Sequence, residues 1–398
     1  MLSKTKIIIY YNVIFNSMRM LVGATSTIFI LNHGLTLVDI GLMKTIQSFI
    51  YFLFDIPSSY LADKFGRKFA IILSTTFGGV WLIITGIADS KYLFYIAEIF
   101  NSISLTILGG VFYSYLIDNS LNDNDTHKIL GESNKLQFLF MAIFSIIGSL
   151  ITDFDDRLVW LIAGSGCIIL SVSLSWFLPK SITKNRQPNL SFLKEIKTSI
   201  AMLKDNKNYL FITSISLSSS LLYFQIILQY WQPLINYIIE ELGVSIFFGI
   251  VFSAILLSQS ISGWIISKNE DNNKNHLYSI VILLVCSLTC IYGVYEKNHI
   301  TTISTIIMFG ANQVMTTSLR SNYHQIIPSE LRSTFDSFIS TITRLIAVIV
   351  IPLIALITEN FGWIYFPILI SLIISINILC YFFIKKHHKR KPTWNPKS

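Results

Sequence analysis

This chain of 398 residues contains twelve runs of mostly apolar residues, each about long enough to cross a bilayer. The runs cover approximately 7–31, 38–60, 69–88, 92–117, 135–152, 158–178, 209–238, 245–266, 277–295, 300–319, 335–358 and 362–384. A helix needs about 20 such residues to span the hydrocarbon core. Because a backbone in lipid must pair its own polar groups, we predict an all-α membrane protein with twelve transmembrane helices, here called spans 1–12.

The composition is typical of a protein whose surface lies in a lipid bilayer. Hydrophobic residues make up 53% of the chain and charged residues only 13%, whereas soluble domains carry about 25% charged residues. The sequence shows no phosphate-binding loop, zinc motif or nucleophile elbow, so we expect no enzyme, no metal and no cofactor. All four cysteines lie in apolar runs and are interpreted as small core residues rather than ligands or disulfides; they are Cys167, Cys286, Cys290 and Cys380.

The placement of Lys and Arg predicts the topology. Three of these cations lie in loops on one side of the predicted membrane, Lys91, Arg157 and Lys297, and three lie inside spans. All the others lie on the opposite side, so we expect both termini in the cytoplasm. The net charge of +8 therefore reflects cytoplasmic loops and predicts no nucleic-acid partner. The basic tail at 385–398 is expected to rest on anionic lipid headgroups.

The longest polar stretch falls between spans 6 and 7 and divides the chain into two halves of six spans. We predict a six-helix bundle at 1–178, a cytoplasmic linker at 179–208, a second bundle at 209–384 and the tail at 385–398. Two such halves are typical of secondary transporters with internal pseudo-symmetry and a site near the membrane midplane.

The loop between spans 2 and 3 carries a motif, Asp55-Ile-Pro-Ser-Ser-Tyr-Leu-Ala-Asp63-Lys-Phe-Gly66-Arg67-Lys68. It resembles the G-x-L-A-D-R-x-G-R-K signature of the major facilitator superfamily, although Ser59 and Lys64 replace the usual Gly and Arg. After span 10, Pro328-Ser-Glu-Leu-Arg332-Ser-Thr334 is similar to a second loop of that family. Gly109-Gly110 with Tyr115-Leu-Ile-Asp118, and Tyr230-Trp-Gln-Pro-Leu234, resemble its drug- and metabolite-exporting members.

The resemblance implies a gate built from charged loop residues. Asp63 is expected to cap the N-terminus of span 11, and Arg67 to bridge Asp63 to Asp118, which would hold the two halves together on the inside. A solvated charged loop is the alternative. Gly66 permits the turn. The expected gating residues are Asp55, Pro57, Asp63, Gly66, Arg67, Lys68, Asp118 and Arg332.

Ionisable residues inside the spans mark the candidate coupling site, because burying a charge in a membrane is costly. Glu98 in span 4 is the leading candidate for a proton-binding carboxylate, with Arg19 or Lys44 as its partner. The alternative is a static ion pair near the outer interface. Arg344 in span 11 could bind an anionic substrate group or pair with a carboxylate, and the sequence does not decide between them.

Amide side chains repeat at helical spacing and predict a polar cavity wall. Asn12, Asn16 and Arg19 share one face of span 1, and the glutamines of span 7 repeat the pattern. Hydrogen bonding that only packs helices is the alternative. The full predicted set for substrate binding and coupling is Asn12, Asn16, Arg19, Lys44, Glu98, Asn101, Gln225, Gln229, Asn312, Gln313 and Arg344.

These observations favour a monomeric, multi-pass transporter of a bacterial plasma (inner) membrane that works by alternating access. The first hypothesis is proton-driven export of a drug-like, peptide-like or metabolite antimicrobial, with a small molecule or short peptide as substrate. The second is proton-coupled import of a small anionic nutrient or siderophore. A membrane receptor or membrane enzyme is disfavoured because no corresponding motif or soluble domain is present.

Overall fold

Helices account for all the regular secondary structure in the described part of the chain. The structure, a computed structural model, describes residues 4–119, 126–179, 207–239, 245–268, 271–324, 327 and 332–388. In chain order the helices are α1 Lys4–Met20, α2 Ser26–Asn32, α3 Leu37–Phe65, α4 Arg67–Gly86, α5 Lys91–Asp118, α6 Thr126–Phe154, α7 Leu158–Phe177, α8 Lys207–Ile239, α9 Ser245–Lys268, α10 Asn272–Tyr295, α11 Ile300–His324, α12 Arg332–Phe361 and α13 Tyr365–His388. The predicted linker and tail lie mostly outside these ranges.

Ten of the described helices are long and apolar enough to cross a membrane. This confirms a multi-pass α-helical membrane protein. The other two predicted spans, 1 and 10, are not among these ten helices. Predicted span 1 is divided between α1 and α2, and predicted span 10 is α11, which carries many Ser, Thr and Asn residues.

Residues 21–25 interrupt the first predicted span. Gly23 N–H donates to Met20 O at 3.2 Å and Thr25 N–H donates to Val22 O at 3.2 Å, so the backbone tightens into short i→i+3 turns. A Cβ added to Gly148 of α6 would overlap the carbonyl of Leu21. The missing side chain at Gly148 therefore allows α6 to pack directly on the interrupted backbone.

Replacing Gly148 by Ala should destabilise the protein by about 1–3 kcal/mol, since the new methyl group can only be accommodated by moving backbone. We expect a lower thermal denaturation temperature and less monodisperse protein on size exclusion. Gly109→Ala is the matched control, because a Cβ at Gly109 has no neighbour within 4 Å and Ala is the better helix former. Equal stability of the two variants would contradict the close packing.

The chain forms two compact units. Unit 1 contains residues 1–187 and 241–257, and unit 2 contains residues 188–240 and 258–398. In unit 1, α4 packs on α5 and α7 through small residues; Cβ atoms added to Gly79 and Gly164 would each lie 3.0 Å from the other glycine's carbonyl oxygen. In unit 2, α10 packs on α11 and α8 on α13. Small residues at such contacts let membrane helices approach closely.

The helix α9 belongs to both units, with its first half in unit 1 and its second half, from Ser258, in unit 2.

The next helix, α10, begins at a capping aspartate. Asp271 accepts hydrogen bonds from the backbone N–H groups of Asn273 and Lys274 at 3.1 and 3.2 Å. These bonds, above all the one from Lys274, hold the pKa of the Asp271 carboxyl below its usual range.

Candidate functional site

Four polar side chains form a continuous chain of contacts inside unit 1, which we call the charge relay: Lys44, Glu98, Asn101 and Arg19. Lys44 Nζ lies 3.7 Å from Glu98 Oε1. Asn101 Nδ2 donates to Glu98 Oε1 and Oε2 at 3.1 and 3.2 Å. Arg19 Nη2 donates to Asn101 Oδ1 at 2.6 Å. The relay thus joins α1, α3 and α5, and Asn101 couples the carboxylate to the second cation.

Arg19 is held by aromatic rings as well as by Asn101. Its guanidinium carbon lies 4.6 Å from the centroid of the Trp81 ring and 5.6 Å from that of Phe15. The residue is 7% exposed, and Nη1 has no hydrogen-bond acceptor among the described residues. A ring face partly replaces the hydration that a buried guanidinium loses. Trp81, on α4, carried no sequence signal that distinguished it from a packing residue.

Glu98 is the acidic member of the charge relay and contacts both Lys44 and Asn101. The carboxylate is 3% exposed, and in a protein interior burial favours the neutral form of a carboxyl group while nearby cations favour its charged form. The Lys44 side chain is 29% exposed and also donates to Gln47 Oε1 at 3.0 Å. Lys44 therefore contacts both Glu98 and Gln47.

A second polar group in unit 1 is a row of amides that links α1 to α6. Asn16 Nδ2 donates to Asn12 Oδ1 at 2.8 Å, and Asn12 Nδ2 donates to Gln137 Oε1 at 2.6 Å. Asn12 is buried, whereas Asn16 and Gln137 are half-buried. Gln137 was not among the predicted residues, because an isolated glutamine near the start of an apolar run gives no periodic signal.

The predicted site residues of unit 2 lie on three helices. Gln225 and Gln229 are on α8, Asn312 and Gln313 on α11, and Arg344 on α12. Asn312 is 1% exposed, and neither of its side-chain polar atoms has a hydrogen-bond partner in the described part of the chain. A buried amide without partners is unfavourable, and this sets Asn312 apart within the predicted set. Gln229 is also buried, while the other three are half-buried.

An acidic residue that the sequence reasoning missed links α11 to α12 in unit 2. Asp336 Oδ2 lies 3.1 Å from His324 Nε2, and Asp336 Oδ1 lies 3.6 Å from Arg320 Nε. Asp336 follows the predicted loop motif by two residues, which is the signal that could have identified it. Arg332 of that motif donates from Nε to Ile327 O at 3.1 Å.

The motif between spans 2 and 3 forms the junction of α3 and α4. Gly66 separates the two helices with φ of 90°, a conformation that favours glycine. Lys68 Nζ donates to Ser175 O and Leu178 O at 2.8 and 2.9 Å, which places a cation on the last carbonyls of α7. Pro57 is exposed within α3 and Arg67 is half-buried.

Part of the predicted gate lies outside the described residues. The side chains of Asp55, Asp63 and Asp118 are in this category, so the bridge from Asp63 through Arg67 to Asp118 stays a prediction.

Contacts between α6 and the first half of α9, both in unit 1, form what we call the α6–α9 seam. Asp153 of α6 accepts from the backbone N–H groups of Ser245 and Ile246 at 2.6 and 3.3 Å, so it caps the positive N-terminus of α9. Ser145 Oγ lies 2.8 Å from Ser253 Oγ, which also donates to Ala142 O at 2.7 Å. These serines were not predicted because small residues in apolar runs usually only pack.

Known proteins resemble the chain in sequence and in fold. The sequence profile described as Major Facilitator Superfamily matches residues 7–342. The uncharacterized MFS-type transporter YxaM of Bacillus subtilis (strain 168) is 22% identical over 222 residues. That alignment covers 55% of this chain and 54% of YxaM, so the chain spans about half the length of this relative.

Solved structures of transporters share the fold over nearly the whole chain. The nucleoside transporter NupG superposes with a TM-score of 0.77 at 12% identity, covering 98% of this chain and 100% of that one. A bacterial homolog of the human lysosomal transporter Spinster gives 0.75 at 13% identity, covering 99% and 98%. A D-xylose-proton symporter gives 0.72 at 12% identity, covering 96% and 97%.

These likenesses confirm that the chain is related to transporters and not to enzymes. Identities of 12–13% with the solved structures show the fold but carry no substrate across. The family profile covers most of the chain. The chain therefore belongs to the Major Facilitator Superfamily.

Proposed function

We propose that this protein is a secondary active transporter that moves a small molecule across a bacterial plasma membrane by alternating access, driven by the proton gradient. The observation that carries the coupling is the burial of Glu98 between Lys44 and the Asn101–Arg19 pair. No other cofactor is invoked. The protein acts as a monomer surrounded by lipid.

Coupling proceeds through α3 in this proposal. Protonation of Glu98 removes the charge that holds Lys44, so α3 is released from α5 at that point. Lys44 lies on the same helix that ends at Phe65, directly before Gly66. A shift of α3 would therefore reach the loop motif, where Lys68 holds the end of α7.

Export of a drug-like, peptide-like or metabolite antimicrobial is the direction and cargo that we favour. Its support is the resemblance of the Gly109–Asp118 and Tyr230–Leu234 stretches to exporting family members. The amides of Asn16 and Gln137 in unit 1 add neutral donors and acceptors, which suit the amide and hydroxyl groups of such a molecule.

Import of a small anionic nutrient or siderophore is the second candidate. Two observations favour it. Three cations, Arg19, Lys44 and Arg344, lie in predicted spans 1, 2 and 11. Nη1 of Arg19 has no acceptor among the described residues. An anionic group of the substrate would satisfy that donor.

Isogenic strains that lack or overexpress the gene, exposed to a panel of toxic compounds, test the proposal. We expect the expressing strain to tolerate more of the exported compound and to accumulate less of it, and a protonophore to remove the difference. The Glu98→Gln strain should resemble the deletion strain. Higher accumulation on expression, lowered by the protonophore, would instead establish import.

A further inference from the structure

An apolar groove of about 540 Å³ opens at the surface of unit 2 between α9, α10 and α11. Its walls are exposed side chains, among them Ile261, Tyr278, Ile282 and Ile307. Every residue that lines it is uncharged. The volume lies within the range of pockets that hold drug-sized ligands.

The groove owes its depth to small residues in its floor. Ser262 Oγ donates to Gly310 O at 2.8 Å, and Ser258 Oγ donates to Ile306 O at 3.1 Å. A Cβ added to Gly310 would lie 3.3 Å from Ser258 Cβ, so α9 and α11 approach as closely as glycine permits. Because these hydroxyls donate to backbone carbonyls, they offer no donor to a ligand, and the floor presents mainly carbon.

The position of the groove indicates which kind of molecule fills it. Its walls lie mainly on α9 and α10, two of the helices that are long and apolar enough to cross a membrane. The side chains of these walls are exposed on the protein surface. Hydrocarbon is therefore the surrounding medium. An unfilled groove would forfeit dispersion contacts along its length, and a flexible hydrocarbon chain fills it without leaving a polar group unpaired.

A cation follows the last groove residue of α9, at the end of the helix that the predicted topology places in the headgroup region. Lys268 lies one turn beyond Ile265 at the end of α9, with Nζ 4.2 Å from the centroid of the exposed Trp264 ring. Trp and Lys next to a span are typical of the membrane interface. Lys274 lies in the first turn of α10 at the same end, but its Nζ is 3.5 Å from Asp271 Oδ2, which makes Lys268 the better partner for a phosphate.

We propose that the groove between α9, α10 and α11 binds one acyl chain of a phospholipid, whose phosphate group pairs with Lys268. The predicted topology assigns this end of the groove to the cytoplasmic leaflet. The site is independent of the charge relay, which lies in unit 1.

Native mass spectrometry of the protein equilibrated with palmitoyl-oleoyl phosphatidylglycerol and phosphatidylethanolamine tests this site. We expect the wild type to retain one phospholipid that Ile282→Trp, which fills the groove from its wall, does not retain. Ile349→Trp is the matched control, since Ile349 is an exposed apolar residue of α12 outside the groove. The wild type should prefer phosphatidylglycerol, because the phosphate of phosphatidylethanolamine is already neutralised by the ammonium group of its own headgroup. Lys268→Gln should keep a bound lipid but lose this preference.

Ala311→Leu provides a second variant that fills the groove from its floor, and size exclusion shows whether each variant is folded. Loss of the same single lipid from both filled variants, but not from Ile349→Trp, supports the site. Retention of the lipid in either folded groove variant, or equal loss from the Ile349→Trp control, overturns it. An unchanged lipid preference in Lys268→Gln overturns the assignment of the phosphate.

Discussion

Replacing Glu98 by Gln should abolish concentrative transport and leave substrate counterflow intact. The amide has the shape of the carboxyl group and can still bond to Asn101, but it neither ionises nor takes up a proton. Proteoliposomes with an imposed pH gradient, supplied with a substrate found in the compound panel, measure both activities. We expect accumulation to fall to the level of empty liposomes while exchange at equal pH continues.

The control for this variant is Glu296→Gln, which makes the same chemical change at the exposed C-cap of α10. It should retain both accumulation and counterflow. Loss of counterflow in Glu98→Gln would show that Glu98 is needed for folding or substrate binding instead. Full accumulation in that variant would exclude Glu98 as the coupling group.

A disulfide across the α6–α9 seam should stop transport reversibly. The Ser145 and Ser253 hydroxyls are 2.8 Å apart, so cysteines at both positions are close enough to join. The first half of α9 packs on α6 in unit 1, while its second half belongs to unit 2. We expect the transport cycle to separate α6 from the first half of α9, and the crosslink prevents that separation.

The experiment uses Ser145→Cys/Ser253→Cys in a background whose four native cysteines, all buried, are replaced by Ala. Oxidation should remove nearly all transport, and a reductant should restore it. Each single cysteine variant, oxidised in the same way, should remain active. Undiminished transport by fully crosslinked protein would show that the seam stays closed throughout the cycle.

The helices could be predicted from the sequence because hydropathy and span length depend on local composition. The interruption at residues 21–25 could not, because Leu21, Val22 and Ala24 are as apolar as their neighbours. The interrupted backbone packs against Gly148, which comes from another helix. Because the two contacting segments are far apart in the sequence, their contact leaves no local pattern from which it could be predicted.

The candidate site was predictable in its members but not in its connections. Arg19, Lys44 and Glu98 stand out because each is a charge in an apolar run. The order of contacts, with Asn101 between the carboxylate and the guanidinium, depends on how α1 and α5 pack. Trp81, Gln137 and Asp153 were missed for the same reason, since their residue types are ordinary at their positions and only their neighbours give them a role.

Infrared difference spectroscopy of the reconstituted protein, recorded as the pH is changed between the values of the two compartments, tests the coupling claim most directly. Proton uptake by Glu98 predicts a protonated-carboxyl band that appears as the pH falls in the wild type and in Glu296→Gln, and that is missing in Glu98→Gln. The same band change in all three proteins would contradict the assignment of the coupling proton to Glu98.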